Sequence, residues 1–165
     1  MKRILLSFFA LVACGMLMAQ NASMPGNITL RTLDGQTVQS SVIQNEGRPV
    51  ILSFWATWCK PCNRELNNIK EVYDEWQQET GVKIVAVSID DARSVNKVKP
   101  HVEGSDWPYE VYLDQNSDLK RAMNVVNVPH TFILNGKGEI VWQHAGYQDG
   151  SEEEVIEKVR EILAE

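Results

Sequence analysis

Histidine and cysteine are scarce in this chain, with three of each among 165 residues. The histidines, His101, His130 and His144, stand in no finger-like spacing to a second cysteine pair. A zinc site needs four ligands, so no metal is expected, and no other cofactor is called for. Cys14, Cys59 and Cys62 are too few to staple a small domain, which would spread several cysteine pairs along its length. Basic residues are also in deficit, 16 Lys and Arg against 22 Asp and Glu, for a net charge of −6. A phosphate-binding surface needs a basic patch, which argues against nucleic acid as a partner. Long apolar runs are missing except at residues 4–17, and that one is short for a spanning helix. With 44% hydrophobic and 23% charged residues, the chain can bury one good core, so one domain is expected.

What is present begins with a leader. Met1-Lys2-Arg3 is a short positive segment, an apolar stretch follows, and Leu17-Met18-Ala19 ends in a small residue before Gln20. That is the pattern of a secretory signal over residues 1–19. An alternative lies in Leu11-Val12-Ala13-Cys14, which resembles a bacterial lipobox; the signal would then be residues 1–13, with Cys14 acylated as a lipid anchor. By either route the body of the protein keeps only Cys59 and Cys62. Residues 20–26, small and polar, are expected to be a linker, and residues 27–165 the domain.

The chain is organised around residues 50–62. Val50 to Ala56 are nearly all apolar, with β-branched and aromatic types, as suits a strand buried on both faces. Beyond Cys62 the period changes: Leu66, Ile69, Val72, Tyr73 and Trp76 fall three or four apart, the stripe of an amphipathic helix. The cysteines therefore sit at a strand-to-helix junction. Unpaired N–H groups and the positive end of the helix dipole favour an anion there, so the Cys59 thiolate should form more readily than that of a free cysteine. Cys62, three residues on, can reach Cys59 and close a small disulfide ring, and Pro61 is tolerated in a first turn. A disulfide across so short a loop constrains the unfolded chain little, which favours a redox role over a structural one.

The segment Phe54-Trp55-Ala56-Thr57-Trp58-Cys59-Lys60-Pro61-Cys62, with Glu65 three residues later and Val128-Pro129 before the apolar Thr131-Phe132-Ile133-Leu134, resembles the thioredoxin superfamily, in particular the exported TlpA/ResA branch of thiol-disulfide oxidoreductases. The resemblance covers about residues 26 to 165. It implies an α/β thioredoxin-like fold, a central mixed β-sheet flanked by helices, with an N-terminal β-hairpin and a central helix-strand insertion. It further implies a redox disulfide Cys59-Cys62, a cis proline at Pro129 facing the pair, and Val128 pairing with an extended substrate. Glu65 matches the branch glutamate and becomes a candidate proton acceptor; the rival reading is a solvated surface glutamate. Ser53 stands six residues before the first cysteine, where cytosolic thioredoxins carry an aspartate, and cannot take a proton at neutral pH. Disulfide-containing proteins are the implied substrates, a membrane dithiol donor the implied source of electrons, and the periplasm the implied location.

Along the rest of the chain, residues 28–32 and 37–42 flank Asp34-Gly35 and predict the hairpin. Residues 82–89 predict a second buried strand, closed off from the first helix by Gly81. Asp90 and Asp91 are read as strand-end carboxylates capping a helix over residues 92–99, which Pro100 should kink or end. Residues 107–113 predict a short strand, 117–124 a short helix, and 131–134 with 139–144 a hairpin. Ser151 followed by three glutamates is the start of a capping box, and Val155, Ile156, Val159, Ile162 and Leu163 mark the buried stripe of a final helix. Trp55 is assigned to packing, whereas Trp58, beside the nucleophile, together with Lys60 and Pro61, is placed at the substrate face. His130 is read as a surface or edge histidine.

Two other classes stay open. A thiol peroxidase would want a Thr-x-x-Cys nucleophile, but Thr57 lies two residues before Cys59 instead of three. A binding module that only uses the fold would carry an inert cysteine pair.

Overall fold

All six side chains of β3 (Val50–Trp55) are buried, as an apolar run covered on both faces requires. The structure, a computed structural model, describes residues 22–164, so the two readings of the leader, with Cys14, lie outside the described residues. Alternation along β3 sends Ile51 and Trp55 to one face of the sheet. Val50, Leu52 and Phe54 go to the other, where Phe54 meets Phe132 edge-on at 5.9 Å.

β3 is followed by α1 (Lys60–Thr80), whose Leu66, Ile69, Tyr73 and Trp76 are buried against the Ile51 face. Each such side chain contributes about 1.5–3 kcal/mol of burial. The helix stops at Gly81, which adopts φ 66° and returns its N–H to the Gln77 carbonyl. β4 (Lys83–Ser88) then lies parallel to β3, pairing Val50 with Lys83 through Trp55 with Ser88.

With β1 (Thr29–Thr32), β2 (Thr37–Gln39), β5 (Glu110–Leu113), β6 (His130–Leu134) and β7 (Ile140–Ala145), the sheet has seven strands in the order β2-β1-β5-β4-β3-β6-β7. β3, β4 and β5 are parallel, and the outer strands are antiparallel to their neighbours. The expected mixed sheet, N-terminal hairpin and helix-strand insertion are all present. The insertion is α2 (Val98–Ser105) with β5, which wedges between β4 and the hairpin. α3 (Asp118–Ala122) and α4 (Glu152–Leu163) complete the chain. Among the described residues no helix is long and apolar enough to cross a membrane.

Several local expectations are corrected. The second hairpin arm ends at Gln39, and Ser40–Val42 turn into a 3-10 segment. The buried Ser40 hydroxyl donates to the Pro25 carbonyl (2.5 Å) and accepts from Ile28 N–H (3.1 Å), bonds that compete with the strand ladder. Pro100 does not end a helix; it sits in the first turn of α2, where its missing N–H costs nothing. β5 starts only at Glu110, because Trp107 and Tyr109 turn inward, their polar tips bonded to Asn67 Oδ1 (2.7 Å) and the Leu66 carbonyl (2.8 Å) of α1. α3 spans five residues, shorter than expected. No capping box forms at α4: Ser151 donates to the Gln148 carbonyl, and Glu152 takes the Gly150 N–H instead. Leu163 is exposed, past the end of the buried stripe. Part of the expected linker, residues 22–24, runs along the β6–β7 turn, with Met24 N–H on the Gly138 carbonyl (3.0 Å) and Ile140 N–H on that of Ala22 (2.8 Å).

Candidate active site

Cys59 is the N-cap of α1, in extended conformation, with Lys60 and Pro61 opening the helix behind it. Its sulfur accepts the Cys62 N–H at 3.3 Å, so it occupies the place where a capping side chain satisfies a free helix donor. Cys59 and Cys62 form a disulfide, their Cα atoms 5.3 Å apart. Cys62 is fully buried and Cys59 retains 5% exposure, so an incoming group meets Cys59 first. Trp58 beside it is 62% exposed, while Trp55 is fully buried in the core, the division expected of the two indoles. Lys60 and Pro61 are exposed on the same turn.

The loop that presents Cys59 is held by a carboxylate that sequence reasoning set aside. Asp90 caps no helix. It is fully buried at the end of β4 and accepts the Thr57 N–H (2.8 Å), the Thr57 hydroxyl (2.6 Å) and the Ser88 hydroxyl (2.8 Å). Asn63 Nδ2 adds bonds to the Thr57 carbonyl (3.2 Å) and the Cys59 carbonyl (2.9 Å). The strand-to-helix junction is thereby tied on both sides of Trp58. Asp91 also caps no helix; it closes a local turn by accepting the Arg93 N–H and its guanidinium.

Glu65 is not on the surface. One turn beyond Cys62, it is 3% exposed, with Oε1 accepting the Thr131 hydroxyl at 2.8 Å. Its Oε2 has no hydrogen-bond partner among the described residues. Burial pushes its pKa up from 4.5 to about 7; the Thr131 bond works against this, and the Glu152 carboxylate adds to it. Thr131 pairs across the sheet with Ser53, whose buried hydroxyl is likewise without a partner among the described residues. A small polar island of Glu65, Thr131 and Ser53 thus lies in the apolar layer between sheet and α1. Helical spacing could have revealed it, since Glu65 falls three residues after buried Cys62 and four before buried Ile69.

The Val128-Pro129 peptide bond is cis. β6 is antiparallel to β3, and His130 pairs with Phe54, so Pro129 comes level with Trp55 at the end of the sheet that carries Cys59. Pro129 is buried, and Val128 is partly buried against both hydrophobic layers. His130 stacks on Phe132, ring centroids 4.5 Å apart, and bonds Gln143 at 3.1 Å; partial burial holds its pKa below the ordinary imidazole value.

A thioredoxin-like sheet with a disulfide closed over the first turn of the helix after β3 defines a class of thiol-disulfide exchange proteins. Comparison with known proteins narrows it. Residues 20–143 match the AhpC/TSA family. Thiol-disulfide oxidoreductase ResA of Bacillus cereus is 30% identical over 122 residues, 74% of this chain and 68% of that one. The solution structure of a thioredoxin-like protein from Porphyromonas gingivalis superposes with TM-score 0.75 at 51% identity, covering 86% of this chain and 93% of the other. StoA from Bacillus subtilis superposes with TM-score 0.64 at 26% identity, covering 86% and 99%. The chain belongs to the AhpC/TSA family, among its thiol-disulfide oxidoreductases.

Proposed function

We propose that this oxidoreductase reduces protein disulfides in the bacterial cell envelope, with Cys59 as nucleophile, Cys62 as resolving thiol and Glu65 as the group that moves the proton. In the dithiol form, Cys59 thiolate attacks one sulfur of a substrate disulfide, expelling the other as thiolate and forming a mixed disulfide. Cys62, deprotonated by Glu65, then attacks the Cys59 sulfur, restoring the internal disulfide and releasing the second substrate thiolate. Two electrons have passed to the substrate, and an external dithiol donor in the membrane must return them. Trp58, Lys60, Pro61, Val128 and Pro129 form the face on which the substrate lies.

The observation that carries this reading is the buried Glu65 carboxyl, one turn past the resolving cysteine and pushed up to about 7. A group with that value both accepts and returns a proton near neutral pH. A thiol peroxidase is less well supported, because the Thr57 hydroxyl is committed to Asp90 and lies one residue out of place.

Export, general envelope thiol maintenance or cytochrome c maturation, and the choice between cleavage after Ala19 and a lipid anchor at Cys14 are part of the proposal and rest on the N-terminal pattern and the family resemblance. An anchor through the N-terminus suits the geometry. Residues 22–24 dock at the β6–β7 turn, at the other end of β6 from Pro129, so a tethered domain would hold its disulfide away from the membrane.

The test uses reduced protein, a disulfide-bonded protein substrate and hydrogen peroxide in parallel. The expected result is reduction of the protein disulfide, a mixed disulfide trapped through Cys59 in Cys62→Ser, and negligible peroxide consumption. Faster turnover of peroxide than of protein disulfide would overturn the reading. Mass spectrometry of the mature N-terminus should find Gln20 or an acylated Cys14, and an intact Met1 in a cytoplasmic fraction would overturn export.

A further inference from the structure

Beside Trp58, the loops that follow the three parallel strands leave a groove of about 510 Å³ that the exchange chemistry does not use. Its walls include Trp58 and Ile89, which are apolar, and Asp91, Arg93, Lys97 and Lys120, which are charged. Asp91 and Arg93 neutralise each other through a two-pronged contact at 2.9 and 2.7 Å. Of the nearby acidic groups, Asp118 is bound to Arg121, whereas Asp90 and Asp114 are buried and held by hydroxyl and N–H donors. Lys97 and Lys120 are left with no ion-pair partner among the described residues. Lys60, exposed on the first turn of α1 two residues past Trp58, adds a third positive charge. In a chain of net charge −6, the surface side chains left without an ion-pair partner around Trp58, namely Lys60, Lys97 and Lys120, are all positive.

We propose that this groove is the specificity site of the oxidoreductase: it receives the stretch of an extended substrate polypeptide that flanks the reactive cysteine and selects an aspartate or glutamate there. The proposal rests on the exchange reading of Cys59. The mixed-disulfide sulfur must sit at Cys59, and Trp58 is its chain neighbour, so the flanking residues cross the indole on entering the groove. An extended chain advances about 3.3 Å per residue, so the residues within a few positions of the attacked cysteine are the ones that share the groove with Lys97 and Lys120. The indole and Ile89 cover the aliphatic part of that segment, and the ammonium groups attract its carboxylate. Exposed pairs of this kind act more on encounter and choice of partner than on tight binding, which suits a substrate that must leave after each turnover.

The test takes the reduced full-length protein and three disulfide peptides that differ only in Glu, Gln or Lys two residues from the attacked cysteine. Each rate is divided by the rate with a small neutral aromatic disulfide. At low ionic strength the Glu peptide should react about tenfold faster than the Lys peptide, with Gln between them. The ratio should collapse toward one at about 0.5 M salt. Lys97→Gln with Lys120→Gln should abolish the preference, and Lys97→Glu alone should weaken it without touching the short helix that carries Lys120. Equal normalised rates for the three peptides, or a preference that survives both variants, would overturn the groove while leaving the exchange reading intact. Wild-type protein inert toward the neutral disulfide would overturn the exchange reading, and the groove's role with it.

Discussion

Changing Glu65 to glutamine keeps the size of the side chain and an acceptor for the Thr131 hydroxyl, but removes the proton equilibrium. The carboxyl titrates at 4.5 in its ordinary setting and at about 7 in the fold, because burial disfavours its charged form. Between those values the folded state holds a proton that the unfolded chain has released, so stability falls as pH rises through the window. Each pH unit of separation is worth about 1.4 kcal/mol, so the gap corresponds to about 3 kcal/mol, fully expressed above pH 7 and absent below pH 4.5. Other titrating groups are common to both proteins and cancel in the comparison. Urea unfolding of the oxidised forms at about pH 4 and pH 8 measures the effect. The Glu65→Gln protein should gain about 3 kcal/mol on wild type between the two conditions, a relative midpoint shift of about 1.5 M for a urea slope of about 2 kcal/mol per M. Unfolding curves that stay parallel, with a difference changing by less than about 1 kcal/mol, would show that Glu65 is ionised in the fold and would refute the argument.

Three further outcomes are expected. In single-cysteine proteins, Cys59 of the Cys62→Ser variant should alkylate faster at neutral pH than Cys62 of the Cys59→Ser variant, since only Cys59 lies at the helix N-terminus with residual exposure; the reverse order would refute the assignment. Asp90→Ala should destabilise by about 3 kcal/mol in urea, because it strands the Thr57 N–H, the Thr57 hydroxyl and the Ser88 hydroxyl; a loss below about 1 kcal/mol would mean that this carboxylate does not hold the loop. Ser53→Ala should be neutral or stabilising by up to about 1 kcal/mol, since it removes a buried hydroxyl without a described partner, and a clear loss would reveal a buried water satisfying it.

The site was legible in the chain wherever its parts are close in sequence. Val50 to Cys62 announce a buried strand and then a helix by their change of period, and that change places Cys59 at the N-cap. Elements also ended early or late where a side chain found a distant partner. Ser40 broke the second hairpin arm by bonding Pro25, and Trp107 and Tyr109 delayed β5 by packing onto α1. Propensity and periodicity carry no term for such contacts.

The sequence by itself determined the cysteine pair, its spacing, the helix that begins at it and the central strand beneath it, because each depends on neighbours within one or two helical turns. Only the tertiary structure decided the surroundings of the pair. Asp90 reaches Thr57 across 33 residues, and Thr131 reaches Glu65 across 66. Whether a carboxylate is a solvated charge, a buried clamp or a group that titrates near neutrality depends on what covers it, and for Asp90 and Glu65 the covering groups come from strands and helices far away in the chain.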